Sequence, residues 1–138
     1  MSLCFAAGAL TAVLNIQAFT LAWTHSIEKI RWEEDWRIEN GKLVVVEARI
    51  RGTGAGMEPP DGAKLIDGVW HYRPALAPLE SVTLAHSPYA KPYELCVAGL
   101  CRPLTAALPG IGASAPIVLS PCTAPSQASA SPAANTRR

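Results

Sequence analysis

An all-β domain is what this chain predicts: a small antiparallel β-sandwich or flattened barrel of about eight or nine short strands, followed by a disordered C-terminal tail. Three observations lead there. Short runs rich in Val, Ile, Thr and aromatic residues recur between Gly, Pro and Asn too closely to leave room for long helices. Between Ile30 and Glu39 apolar and charged residues alternate at the period of a strand. Asn40-Gly41, whose residues both tolerate positive φ, is the strongest two-residue turn signal in the chain.

Strands are expected at Leu3–Ala7, Leu10–Ile16, Phe19–Ser26, Arg31–Glu39, Lys42–Arg51, Val69–Tyr72, Ser81–His86, Tyr93–Val97 and Leu100–Leu104. The first two come from an uncharged stretch, Leu3 to Trp23, that also has the look of an export signal or a membrane span. Strands fit it better: no Lys or Arg precedes it, Gly8, Asn15 and Gln17 interrupt it, and Phe19 to Trp23 runs on into a strand pattern. The chain is therefore not expected to be an integral membrane protein. Its default compartment is the cytoplasm, with the periplasm as the alternative. From Thr105 to Arg138 the sequence is dominated by Ala, Pro, Ser and Gly without any aromatic residue, so the folded domain is expected at 1–104 and a disordered tail at 105–138.

Turn geometry sets two registers. A two-residue turn at Asn40-Gly41 pairs Glu39 with Lys42, Ile38 with Leu43, Trp36 with Val45 and Glu34 with Glu47. If Ile27 to Ile30 form the preceding loop, Ser26 meets Arg31, His25 meets Trp32 and Trp23 meets Glu34, leaving His25 diagonal to Glu34. Glu34 then lies with Ile30, Trp32, Trp36 and Ile38 on the apolar face, where a carboxyl group without a partner has its pKa raised. Arg31, Glu33, Asp35, Arg37 and Glu39 form the opposite, solvated face. A turn at Ala98-Gly99 places Cys96 opposite Cys101, close enough to be a disulfide candidate in an oxidising compartment; two reduced core cysteines are the alternative.

Twelve Lys and Arg against eleven Asp and Glu leave no basic excess, so no nucleic-acid partner is expected. His25, Glu34 and Glu47 on one sheet face have the residue types of a divalent-metal site or an acid/base pair. Against that, Arg49, two residues from Glu47, offers an internal salt bridge that would satisfy the cluster without a ligand. No Gly-x-Ser-x-Gly elbow accompanies His25 and Ser26, which point to opposite faces of a strand, so a serine hydrolase is not expected. Gly52-Thr53-Gly54-Ala55-Gly56 lacks the Lys-Ser/Thr and the following helix of a phosphate loop, because Pro59-Pro60 prevents that helix. Its glycines instead allow close approach to a ligand or partner. His71 and His86 are expected to be solvated, with Trp70 and Tyr72 turned to the core. Trp32 and Trp36 share a face with Ile30 and Ile38, which argues for the core and against an exposed carbohydrate platform.

His25-Ser26-Ile27-Glu28, the acid pair Glu33-Glu34, Glu47-Ala48-Arg49, Gly54-Ala55-Gly56 and the ending Leu95-Cys96 through Cys101 resemble a bacterial family, domain of unknown function 1850. Members tend to be encoded beside tripartite ATP-independent periplasmic transporters. The resemblance implies an accessory or binding role, with a transporter permease or its solute-binding protein as partner. It implies no catalytic residue, no cofactor and no reaction. The contact residues expected on this basis and from the pattern above are His25, Ser26, Glu28, Glu34, Glu47, Arg49, Gly54 and Gly56. A metal-binding domain or metal-dependent enzyme using His25, Glu34 and Glu47 is the alternative.

Overall fold

The computed structural model describes residues 1–24, 30–51, 61–85, 93–111 and 115–123. Eleven strands follow in order: β1 (Ser2–Ala7), β2 (Leu10–Leu14), β3 (Ala18–Thr24), β4 (Arg31–Glu39), β5 (Lys42–Arg51), β6 (Lys64–Ile66), β7 (Val69–Tyr72), β8 (Val82–Leu84), β9 (Glu94–Val97), β10 (Leu100–Pro103) and β11 (Ile117–Cys122). A 3-10 turn covers Leu104–Ala107. The strands form two open antiparallel sheets, β2-β1-β11-β8 and β10-β9-β3-β4-β5-β7-β6, so the architecture is a sandwich and not a closed barrel.

Local chemistry explains the hairpins. Asn40 and Gly41, with φ of 52° and 73°, form the turn between β4 and β5, and the pairs Glu39–Lys42, Ile38–Leu43 and Trp36–Val45 follow as expected from that turn. The same geometry at Asp67-Gly68 (φ 50° and 78°) joins β6 to β7, a hairpin that the sequence expectation did not include although Asp-Gly is one of its strongest signals. At Ala98-Gly99 the turn sets Cys96 directly opposite Cys101, and the two are joined as a disulfide.

The inner faces of both sheets supply the core: Leu3, Phe5 and Leu119 from the small sheet meet Phe19, Leu21, Trp36 and Val45 from the large one. The uncharged N-terminal stretch thus forms β1 and β2, as its pattern predicts, with Leu3 and Phe5 fully buried. Among the described residues no helix is long and apolar enough to cross a membrane.

The boundary expected at Leu104 is corrected. Leu108 is buried beyond it, and β11 lies between β1 and β8 with Leu119 fully enclosed. A six-residue run containing Ser120 and Pro121 has too little alternation to stand out from an Ala/Pro/Ser-rich background. Pro121 is tolerated because β8 pairs only with Ile117 to Leu119, so beyond them one side of β11 is a free edge. Cys122 closes a disulfide with Cys4 across 118 positions of sequence. The tail is therefore expected only after Thr123, outside the described residues.

Two perturbations report on this closure. Replacing Cys4 and Cys122 together by Ser is expected to cost about 2–5 kcal/mol, because the unfolded chain regains the freedom of a long loop. Leu119→Ala is expected to cost a similar amount, about 2–5 kcal/mol, by opening a cavity. Urea unfolding under non-reducing conditions measures both, and an unchanged midpoint in Leu119→Ala would place β11 outside the cooperative unit.

Candidate functional site

The large sheet carries two chemically distinct faces, separated by one irregularity. Trp36 pairs with Val45, but the next pair is Asp35 with Glu47, so Val46 is an extra residue on β5. Because side chains alternate with period two, this bulge reverses the facing of everything after it. Ala48 and Ile50 turn inward and are buried, whereas Glu47 and Arg49 turn outward. The expected opposition of Glu34 and Glu47 is thereby corrected: Glu34 pairs with Ala48, and Arg49 pairs with Glu33 rather than Trp32. The signal was present in the sequence, where three consecutive valines, Val44 to Val46, are followed by apolar residues on the other parity, Ala48 and Ile50.

On the outer face, Arg49 is the hub of a charged network. Its guanidinium makes two hydrogen bonds to Asp35, both 2.7 Å, and further ones to Glu33 at 3.0 Å and Glu47 at 2.8 Å. Arg31 links Glu33, 2.8 Å away, to Glu94 on β9, 2.7 Å away, across the buried Ala22. Thr20 donates to Asp35 at 2.6 Å, and His71 Nδ1 lies 3.3 Å from Glu47 Oε1. The expected internal salt bridge from Arg49 to Glu47 is therefore present, but on the solvent side of the sheet.

These contacts set the ionisation of the face. The hydrogen bonds from Arg49 hold Asp35 below the usual carboxylate range, against a smaller opposing effect of burial, with Thr20 assisting. Burial pushes Glu33 upward, but the hydrogen bonds from Arg31 and Arg49 outweigh it and leave its pKa lowered. Beside this network a groove of about 470 Å³ runs between Thr20, Asp35, Arg37 and Val46 and the Cys96–Cys101 disulfide.

Glu34 stands alone on the inner face. One register row runs Leu21, Glu34, Ala48, Tyr72, and the next runs Trp23, Trp32, Ile50, Trp70. The β3–β4 register thus differs by two residues from expectation: Trp23 meets Trp32 and Leu21 meets Glu34, a slip that leaves each side chain on its expected face. Trp23 stacks on Trp32 with ring centroids 5.9 Å apart and meets Tyr93 at 5.4 Å. Trp70 and Tyr72 take the inner side and His71 the outer one, as their alternation predicts.

The Glu34 carboxylate accepts a hydrogen bond from Trp36 Nε1 at 3.2 Å, and no Lys, Arg or His of the described residues forms an ion pair with it. Burial among these rings raises its pKa, and the Trp36 bond only partly offsets that, in keeping with the sequence expectation. Tyr72 and Tyr93 are raised too, first by burial and then by the nearby negative charge of Glu34.

His25, Ser26, Glu28, Gly54 and Gly56 lie outside the described residues, as does His86. Glu34 and Glu47 now occupy opposite faces of the sheet, so the metal set of His25, Glu34 and Glu47 is corrected: the two carboxylates cannot converge on one ion. Among the described residues no three of His, Cys, Asp and Glu are grouped to hold a metal.

An open antiparallel sandwich with an ionic outer face and an acid-and-aromatic inner end is the class of protein defined here. The family model for Domain of unknown function (DUF1850) matches residues 19–104, and the chain belongs to that family. The match takes in every strand of the large sheet and the short β8, while β1, β2 and β11 lie beyond it. No curated protein and no solved structure matches the chain.

The two faces respond to pH with opposite sign. Glu34 holds its proton more tightly folded than unfolded, so the stability tied to it is full below the unfolded carboxylate range and is lost as pH rises through the raised folded value. Glu33 and Asp35 contribute stability above the unfolded range that is lost as pH falls through their lowered folded values. Urea unfolding of Glu34→Gln is accordingly expected to show a gain in stability at neutral pH that shrinks in acid. Arg49→Met leaves three carboxylates without their cation and is expected to cost about 1–3 kcal/mol at neutral pH, an amount discounted for partial exposure. That deficit also shrinks in acid, where the carboxylates become neutral.

Proposed function

We propose that this chain is a binding or accessory module that assists a tripartite ATP-independent solute transporter, with a transporter permease or its solute-binding protein as partner. The observation that carries the proposal is Glu34, a half-buried carboxylate kept among aromatic rings with no cation partner among the described residues. Nothing in the packing requires a charge at that position, and keeping one there costs stability, so a contact made from outside the chain is its best explanation. Family membership and the transporter association implied by the sequence resemblance support the accessory role.

Thr24 and Arg51 stand at the end of the sheet where Trp23, Trp32 and Ile50 lie, and His25 and Gly52 follow them in sequence. We propose His25, Ser26, Glu28, Gly54 and Gly56, with Glu34, as the residues of partner contact. Glu47 and Arg49, on the other face, belong to an ionic platform that a second protein surface can read by charge. Two disulfides, Cys4–Cys122 and Cys96–Cys101, support placement in an oxidising compartment such as the periplasm over the cytoplasmic default.

Affinity purification of the tagged chain from gently solubilised host membranes tests the role. Recovery of a transporter permease or solute-binding protein is expected, and Glu34→Gln and Gly54→Val are expected to reduce it while leaving the far-ultraviolet circular dichroism unchanged. Recovery of the chain alone, or undiminished association in both variants, would refute the assignment.

A further inference from the structure

The inner end of the large sheet carries two unmet demands of opposite kind. The Glu34 carboxylate, with one neutral hydrogen bond from Trp36, has no cation partner among the described residues. The indole N–H of Trp70 is buried and has no acceptor among the described residues. A buried donor without an acceptor is uncommon in a folded protein and calls for a physical reason. Both groups rise from the same face, in adjacent register rows and two strands apart, which is about 12 Å between backbones.

What lies around them is aromatic. Trp32 is next to Glu34 along the face of β4, Trp23 stacks on Trp32, Tyr93 tilts against Trp23, and Tyr72 ends the row that holds Glu34. The position opposite Glu34 on β5 is Ala48, the smallest residue of that row. All five rings of Trp23, Trp32, Trp70, Tyr72 and Tyr93 are partly exposed, and Trp32, Trp70 and Tyr72 stand outside the main core cluster. Aromatic faces attract cations, and they do so most strongly where water is partly excluded. The ring N–H of Trp70 supplies the complementary donor.

We propose that this face binds a small organic ammonium compound, its cationic nitrogen held by the Glu34 carboxylate and the face of Tyr72, and an acceptor group of the same molecule taken by Trp70 Nε1–H. Short betaines and amino acids have that pairing of charges. The assignment rests on the binding-module role given above and names the ligand class for the same site. A metal ion satisfies it poorly, since the face offers one carboxylate and no second ionic ligand among the described residues.

The test uses the full oxidised chain, with tryptophan fluorescence and calorimetry as readouts. Choline is compared with 3,3-dimethylbutan-1-ol, the neutral molecule of the same shape, and then with glycine betaine. Saturable binding of choline, weaker by about tenfold or more for the neutral isostere, is expected. Glu34→Gln is expected to lower choline affinity by a similar factor. Trp70→Phe, which keeps the ring and removes the donor, is expected to leave choline binding intact and to abolish any preference for glycine betaine. No saturable response to either ammonium compound, equal binding of the neutral isostere, or full affinity in Glu34→Gln would each overturn the proposal. Partner recovery by the wild-type chain is scored separately. Partner capture without ammonium binding removes the ligand class alone, and ammonium binding without partner capture removes the transporter role alone.

Discussion

One extra residue, Val46, decides the chemistry of this molecule. Were Val46 paired in continuous register with β4 instead of bulged, Glu47 would lie against Glu34 and Arg49 would point into the apolar layer between the sheets. Two acids would then face each other on the inner face, where each buried charge is costly to leave unmatched. The bulge turns Glu47 and Arg49 outward and brings Ala48 and Ile50 inward, so every position after it gains the environment its side chain favours. It also delivers Arg49 to the three carboxylates of Glu33, Asp35 and Glu47.

The outer network has the marks of a cross-strand tie. Its ions are paired, and Arg49 and Arg31 between them span β5, β4 and β9. Such half-exposed pairs contribute modestly one at a time, but two shared guanidinium groups fix the relative register of neighbouring strands. Glu34 is the opposite case. It is the one acid of β4 on the inner face, its only side-chain hydrogen bond among the described residues comes from a neutral indole, and burial raises its pKa.

Two disulfides act on different scales. Cys96–Cys101 spans a single hairpin whose turn already sets the pair opposite, so it adds little constraint to the unfolded chain. Cys4–Cys122 joins β1 to β11 across nearly the whole described chain and locks together two strands of the small sheet that the family match does not reach. The family-matched part contributes the large sheet and its two faces, and the small sheet seals the end of the inner face farther from Glu34.

Local signals in the sequence determined the strands of the large sheet other than β6, the turns at Asn40-Gly41 and Ala98-Gly99, the opposition of Cys96 and Cys101, and the inward facing of Glu34 between Trp32 and Trp36. Each depends on neighbours within a few positions, where side-chain alternation and turn geometry act directly. The hairpin at Asp67-Gly68 was equally legible, and the parity change after Val46 was visible in the apolar pattern. Only the tertiary structure decided that Ile117–Cys122 is a strand, because its short and weakly alternating run is stabilised by pairing with β1 and by the burial of Leu119 against residues distant in sequence. It also placed the bulge at Val46, by which Glu47 and Arg49 part from Glu34. The bulge exists because both faces of a paired strand must be satisfied at once, a condition set by contacts that neither strand has before the sheet forms.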